Sequence, residues 1–371
     1  MYFRSAELTN FRNYKKLDIE FDRHLNLFLG KNAQGKTNLL ESLFIMSLGK
    51  SFRTLNDSEM ISFGCDQARA VSYVVNDDED DETKIEIIYG KEGKTLKVDD
   101  VKLTRSVDLL ENVYIVVFFP DDLKIIKEGP ENRRRFLDRE LCQIKPVYYS
   151  DLANYKRVLK QRNMLLKQNS KDKDLYEVFD EALADYGVRI LEERLRFTDK
   201  INEISSEIHS RISSGSEKLV ISYETKLCSD RSVSFEEKKE KYRKLLDKNF
   251  ENDIYRGFTG AGPHKDDLKI EVNGIDIRQF GSQGQQRTAA LSMKLAEISL
   301  IKQETGCDAV LLLDDVLSEL DKSRQRFLIE SMKDVQLFIS AAEIDEEVMK
   351  LLKGTVYEVE NGTINKLTKD F

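Results

Sequence analysis

Gly30-Lys31-Asn32-Ala33-Gln34-Gly35-Lys36-Thr37 has the spacing G-x-x-x-x-G-K-[ST]. The apolar-rich run Leu25-Asn26-Leu27-Phe28-Leu29 before it reads as a buried strand. Asn38-Leu39-Leu40-Glu41-Ser42-Leu43-Phe44 after it has helical apolar spacing. The motif therefore sits in the strand–loop–helix setting that its chemistry requires. Its glycines let the loop wrap so that backbone N–H groups point inward. The helix start adds free N–H groups and a partial positive charge, and together these hold phosphate oxygens. The expected phosphate cradle is Gly30, Lys31, Asn32, Ala33, Gln34, Gly35, Lys36, Thr37 and Asn38. Lys36 reaches the β- and γ-phosphates of ATP, and Thr37 ligates Mg²⁺.

Working outward, Tyr2–Leu8 and Leu17–Phe21 alternate as half-buried strands. Val71–Val75, Lys84–Tyr89 and Lys94–Val98 are strand-like too. The acidic tract Asp77–Glu82 between two of these runs reads as a solvated hairpin tip. Val113–Phe119 is apolar throughout and reads as a strand buried on both faces. From about residue 131 to 256 the texture changes to charged, mostly helical sequence, with apolar steps at Leu175, Phe179, Leu183, Tyr186 and Ile190 and again at Ile201, Ile204, Ile208 and Ile212. Leu219–Tyr223 reads as a short strand within it. Pattern returns to α/β near Thr259, with a hairpin signal at Asn273-Gly274, a long helix over Gln285–Gln303 and apolar strands at Ala309–Leu313 and Gln336–Ile339. The expected fold class is α/β with an inserted, mainly helical arm: residues 1–130 and 257–371 form the head, and 131–256 the arm.

Composition narrows the function class. The chain has 371 residues, a net charge of -8 and a pI of about 5.3. That excludes a generally basic nucleic-acid coat protein but leaves room for a local basic patch. Cys65, Cys142, Cys228 and Cys307 are far apart and form no CxxC pair, which points to a reducing compartment and no structural zinc. No run approaches the 18 or so apolar residues of a membrane helix, and Met1-Tyr2-Phe3-Arg4 leads directly into a strand pattern. The expected location is the cytoplasm, with no membrane partner.

Val310-Leu311-Leu312-Leu313-Asp314-Asp315 is a buried strand running into two carboxylates. Asp314 is placed to hold Mg²⁺ together with Thr37. Asp315 is placed to orient the attacking water or accept its proton. Gly281-Ser282-Gln283-Gly284-Gln285 opens the long helix with glycines, a hydroxyl and amides, which reads as a second anion site or as a helix cap. Arg133-Arg134-Arg135 reads equally as a set of DNA phosphate contacts or as a helix start bonded to nearby acids. Lys156, Arg157, Lys160 and Arg162 form a basic stripe, more readily a solvated helix face. His264 lacks the ligands that a metal site needs.

The order phosphate loop, insertion, S-Q-G-Q and L-L-L-D-D resembles the ABC-type ATPase head shared by transporters, SMC proteins and their relatives. Finer matches resemble the RecF family, SMC-like ATPases without the long coiled coil: Asn10–Tyr14, Gly30–Glu41, Arg133–Asp138, Gly262–Leu268, Ser282–Thr288 and Leu312–Asp321. The resemblance implies that Ser282, Gln283, Gly284 and Gln285 face the γ-phosphate held by an opposite subunit in an ATP-dependent homodimer. It also implies that Ser318 and Asp321 belong to the D-loop at that interface. It further implies a clamp on DNA at single-strand gaps and their duplex junctions, acting with RecO and RecR to help load RecA, with slow hydrolysis. The chain departs from the general ABC pattern at three points. Asp315 stands where most heads have Glu, Ala341-Ala342 follows Ser340 with no His, and Pro120-Asp121-Asp122 occupies the place of a Gln-containing loop. The alternatives are a detached transporter subunit, another SMC-like ATPase and a metabolic P-loop kinase; the first and last lack a use for the helical arm and for S-Q-G-Q respectively.

Overall fold

The computed structural model describes the whole chain apart from residues 55, 77–80, 171, 333–334, 351 and 368–371. Residues 77–80 of the expected acidic hairpin tip therefore lie outside the described residues. The chain divides into two compact units, one of residues 1–123 with 290–371 and one of residues 124–289.

The first unit holds two sheets with a helix between them. The strands β1 (Tyr2–Phe11), β2 (Tyr14–Glu20), β4 (Gln67–Asn76), β5 (Asp81–Gly90), β6 (Gly93–Val98) and β7 (Val101–Lys102) form an antiparallel sheet in the order β2-β1-β4-β5-β6-β7. The second sheet contains β3 (Leu25–Leu29), β8 (Ile115–Phe118), β12 (Val310–Asp314), β13 (Leu337–Ala341), β14 (Thr355–Glu360) and β15 (Thr363–Leu367), in the order β15-β14-β3-β13-β12-β8. All its neighbours run parallel except the β14–β15 hairpin. Its central strands read as continuous apolar runs because both faces are covered, as parallel strands require. Helix α1 (Lys36–Leu48) packs against β8, β12 and β13 on one side and β4 and β5 on the other. That placement explains why Leu39, Leu40, Leu43, Phe44, Ile45 and Met46 are all buried rather than forming one stripe.

The second unit is mainly helical. Helices α2 (Lys124–Lys127), α3 (Pro130–Ile144), α4 (Pro146–Lys167), α5 (Lys173–Ile212) and α6 (Phe235–Arg256) accompany a small antiparallel sheet of β9 (Leu219–Glu224), β10 (Asp267–Val272) and β11 (Ile275–Asp276). The two helical stretches expected between Leu175 and Ile212 are one 40-residue helix. It ends at Ser213, where Ser214 and Gly215 turn left-handed with φ of 53° and 78°.

The borders differ from the sequence expectation of 130/131 and 256/257. The alternating run Leu268–Val272 had been assigned to the returning head, because a period of two gives a strand and not its sheet. In the structure β10 pairs with β9 over six residue pairs, so residues 257–289 belong with the arm. A short helix α7 (Ile277–Phe280) follows, and α8 (Gln283–Thr305) carries the chain from the second unit into the first. The first unit is completed by α9 (Lys322–Glu330) and α10 (Glu346–Met349). Among the described residues no helix is long and apolar enough to cross a membrane.

Candidate nucleotide site

The loop after β3 and the end of β12 meet at the carboxyl edge of the parallel sheet, with β13 between them, the edge where open α/β sheets bind ligands. Thr37 Oγ1 donates to Asp314 Oδ1 at 2.9 Å, joining residues 277 apart in the sequence. The strand register sets Ser340 beside Asp314, and Ser340 Oγ donates to the same oxygen at 2.6 Å. Burial pushes the Asp314 carboxyl above its ordinary range, while the Ser340 and Thr37 hydroxyls pull it partly back. At Asp315 the backbone turns left-handed with φ 55°, an uncommon conformation for a side-chain-bearing residue. Asp315 N is anchored to Ser340 O at 3.0 Å.

Lys36 is buried, and its Nζ donates to Gly30 O at 2.5 Å and Lys31 O at 2.9 Å, so the cation lies inside the loop. Burial lowers its pKa, and Asp315 and Asp314 oppose that shift. Helix α1 begins at Gly35 with no side-chain cap and no acidic residue in its first turn. Its first N–H groups have no intrahelical acceptor, and no carboxylate of its own first turn competes for them. This donor set fits a nucleotide triphosphate chain. Two hard oxygens, from Thr37 and Asp314, fit a Mg²⁺ ion that keeps phosphate and water as its other ligands.

The glycines are fixed by their neighbours as well as by the loop. A Cβ on Gly30 would lie 2.3 Å from Val359 O, and one on Gly35 (φ 120°) would lie 2.6 Å from Asn13 Nδ2. A brace that the sequence reading missed surrounds them. Tyr14 OH donates to Gly35 O at 3.0 Å, Asn13 Nδ2 to Gln34 O at 3.0 Å, and Asn361 N to Gln34 Oε1 at 2.7 Å. Gly362 N reaches Gln34 O at 3.0 Å, so the β14–β15 turn holds the phosphate loop.

Asn38 was expected among the phosphate contacts. Its side chain donates to Asn13 Oδ1 at 2.8 Å and accepts from Arg53 Nη1 at 2.8 Å, which leaves its backbone N–H for the phosphates. Arg53, also unanticipated, lies near enough to Asp314 to oppose its raised pKa. Arg12 grips the fully buried Glu41 of α1 with two bonds of 2.9 and 2.7 Å, which makes it a brace between the β1–β2 turn and the helix. Asp122 is buried, accepts from Phe119 N at 3.1 Å and lies 3.6 Å from Lys294 Nζ, closing the turn after β8.

Of the D-loop pair, Ser318 Oγ donates to Asp315 O at 2.7 Å, and Asp321 caps α9 by accepting from Arg324 N at 3.0 Å. Ser282 and Gln285 form a reciprocal capping box at the start of α8: Ser282 N donates to Gln285 Oε1 at 3.0 Å and Gln285 N to Ser282 Oγ at 3.2 Å. Gln285 Nε2 also donates to Glu217 Oε1 at 3.0 Å. Ser282 and Gln283 are exposed.

One of the two readings of the arginine run is favoured by the structure, and one basic stripe needs correction. Arg133 is buried, bidentate to Asp267 at 2.6 and 2.9 Å, and further bonded to Ile125 O and Glu128 O, so its guanidinium is committed inside the fold rather than presented to DNA. Arg135 is exposed beside Glu131, and Arg134 is intermediate. Arg162, taken as part of a solvated stripe, is fully buried between Asp180 at 2.6 Å and Asp253 at 2.9 Å. Periodicity places a residue on a helix face, but not on the side that packs. His264 is half-buried, with Nε2 on Thr259 O at 2.9 Å and Nδ1 on Tyr155 OH at 2.7 Å. The described residues contain no cluster of three or more metal-ligating His, Cys, Asp or Glu side chains.

A phosphate loop and an Asp-ended strand on a mixed sheet, backed by an antiparallel sheet and interrupted by a helical unit, define an ATPase head of the ABC class in its SMC-like form. The family described as RecF/RecN/SMC N terminal domain matches residues 2–364. The chain belongs to the RecF family. It is 42% identical over 371 residues to the DNA replication and repair protein RecF of Clostridium kluyveri, covering 99% of this chain and 100% of that one. It is 45% identical over 376 residues to RecF of Halothermothrix orenii, covering 99% of each. Among solved structures, the recombination mediator protein RecF with ATP, of the RecFOR pathway, superposes with a TM-score of 0.91 at 38% identity, covering 99% of this chain and 98% of that one. An SMC head bound to the C-terminal winged-helix domain of ScpA shares the fold at a TM-score of 0.58 and 18% identity, over 99% and 97% of the two chains.

Proposed function

We propose that this chain is an ATP-gated DNA clamp that works in replication and recombinational repair. Its relatives are named for DNA replication and repair, and one is described with ATP in the RecFOR pathway. In this reading the chain acts in the cytoplasm at single-strand gaps, with RecO and RecR, to help load RecA. The observation that carries the reading is the 2.9 Å bond between Thr37 and Asp314, which joins the two halves of a phosphate–metal site across 277 positions.

The residues divide the work as follows. Gly30 to Thr37 and the uncapped start of α1 bind and orient the triphosphate. Lys36 leaves the carbonyls of Gly30 and Lys31 for the β- and γ-phosphates. Thr37 and Asp314 hold Mg²⁺, which neutralises phosphate charge when bound. Asp315 orients the attacking water. Its side chain is one methylene shorter than the Glu of most ABC heads, which accords with weak hydrolysis serving as a reset. Ser282 to Gln285 complete the site of a second copy, and Ser318 and Asp321 lie at the same homodimer interface.

Binding to gapped and plain duplex DNA, measured with and without ATP across salt concentrations, tests the reading. ATP-dependent preference for the gap supports it; ATP-independent binding, or none to either DNA, refutes it. Lys36→Arg should keep the fold and lose hydrolysis, and unchanged hydrolysis in that variant would refute the site assignment.

A further inference from the structure

A pocket of about 220 Å³ opens within the second unit, between α3, α4 and α5 and the loop Gly262–Asp267. The pocket's floor is rigid. Gly262 has φ 134°, and a Cβ there would lie 2.1 Å from Tyr242 OH and 2.4 Å from Tyr155 OH, so the loop is pressed against both tyrosines. His264 in this floor is neutral at physiological pH. Burial pushes its pKa down to about 4, and its Nε2–H is spent on the Thr259 carbonyl.

Four cationic side chains line the pocket: Arg134, Arg135, Lys156 and Arg194. Among the lining residues only Glu131 and Asp138 are carboxylates, while Asp266 and Asp267, outside the lining, also act on Arg134. Asp138 is shared, holding Arg194 at 2.7 Å and Lys156 at 3.3 Å. Glu131 holds Arg135 at 2.5 Å. Arg134 makes no direct ion pair among the described residues, although Asp267, Glu131 and Asp138 lie near enough to favour its charge. Its Nη1 donates to the Asp266 carbonyl oxygen at 2.7 Å, and that neutral acceptor does not balance the charge. Its burial and the nearby Arg194 push its pKa down, so the cation is held there at a cost.

We propose that this pocket is a second phosphate site, separate from the phosphate loop, which binds a phosphomonoester through Arg134 and Lys156 with Arg135 at the mouth. A phosphomonoester carries about −1.5 to −2 at pH 7, so the cationic cluster attracts it more strongly than a singly charged carboxylate. It also presents three acceptor oxygens to a guanidinium fork and an ammonium. Leu152, Tyr155 and Pro263 give the pocket an apolar wall that suits the sugar or base attached to such a group. The group can come from the end of a nucleic-acid strand or from a free nucleotide.

The test uses the full chain with ATP saturating, so that the phosphate loop is filled. Binding is compared for one single-stranded oligonucleotide with a 5′-phosphate, with a 3′-phosphate and with neither. Thermal shifts with inorganic phosphate and AMP are read in parallel. The variants are Arg134→Gln and Lys156→Gln. A phosphorylated end that tightens binding at least tenfold, with the gain lost in Arg134→Gln, reduced several-fold in Lys156→Gln and ATP affinity unchanged, establishes a strand end as the source. Stabilisation of wild type by phosphate or AMP, absent in Arg134→Gln and without end preference, establishes a free ester. Equal loss for all three oligonucleotides overturns the proposal in favour of backbone diesters, and no effect of either variant overturns it outright. Should Arg134→Gln disturb the fold, Lys156→Gln decides alone, since that side chain is 62% exposed.

Discussion

Ser340→Ala is the most informative change in the head, because Ser340 touches the metal-binding carboxylate without belonging to the phosphate loop. Its hydroxyl donates to Asp314 Oδ1 at 2.6 Å, and the serine is 1% exposed. A hydrogen bond to a charged group contributes about 1.5–3 kcal/mol, and 1.4 kcal/mol is a factor of ten. The variant should therefore need roughly 10- to 100-fold more Mg²⁺ for half-maximal ATP hydrolysis, the size typical of losing a partner that orients a metal ligand. The pH dependence has a definite sign. Burial already raises the Asp314 pKa, and the Ser340 hydroxyl opposes that rise. Removing the hydroxyl raises the pKa further, so protons compete better with the metal and the gap between variant and wild type widens as pH falls. Mg²⁺ titrations of hydrolysis at several pH values read this directly. Ser340→Thr, which keeps the hydroxyl, should behave close to wild type. A shift of less than about threefold in Ser340→Ala, or a gap that does not change with pH, refutes the argument that Ser340 holds Asp314 for the metal.

Other perturbations follow from the same geometry. Gly30→Ala places a Cβ 2.3 Å from the backbone oxygen of Val359, which cannot yield cheaply; it should cost about 2 kcal/mol or more in chemical denaturation and weaken ATP binding. Ser282→Arg should abolish ATP-dependent dimerisation in sedimentation while the monomer still binds ATP. In the second unit, burial raises Asp266 to about 6 and lowers His264 to about 4. Ionising Asp266 costs the fold as pH rises from its unfolded value of about 3.9 to about 6, whereas neutral His264 gains stability as pH rises from about 4 to 6.5. Each shift of about two units is worth about 3 kcal/mol, so the two slopes nearly cancel in wild type. Asp266→Asn should leave a stability that climbs across pH 4–6.5 relative to wild type, and an unchanged profile in denaturant titrations would contradict the assignment.

The head was legible in the sequence because its local signals agree. Gly30–Thr37 sits between a strand and a helix of the right pattern, and Leu311–Asp314 can only be a buried strand ending in acid. What could not be read was pairing. The strand at Leu268–Val272 has the same alternation whether it joins the head or β9, and the structure gives it to β9. Arg133 and Arg162 look like surface cations in a charged stretch, yet both are buried, because Asp267, Asp180 and Asp253 arrive from distant positions to neutralise them. Ser340 carries no motif at all. Only the parallel register of β12 and β13 brings it to Asp314.

The central claim is that Gly30–Thr37 is half of a site completed by Ser282–Gln285 of a second copy. Mixing two inactive variants tests it most directly: Lys36→Ala, which lacks the phosphate loop's cation, and Ser282→Arg, whose signature is blocked. A mixed dimer pairs the intact loop of one with the intact signature of the other, so hydrolysis and ATP-dependent association should return on mixing. A mixture no more active than its two components measured apart would contradict the account.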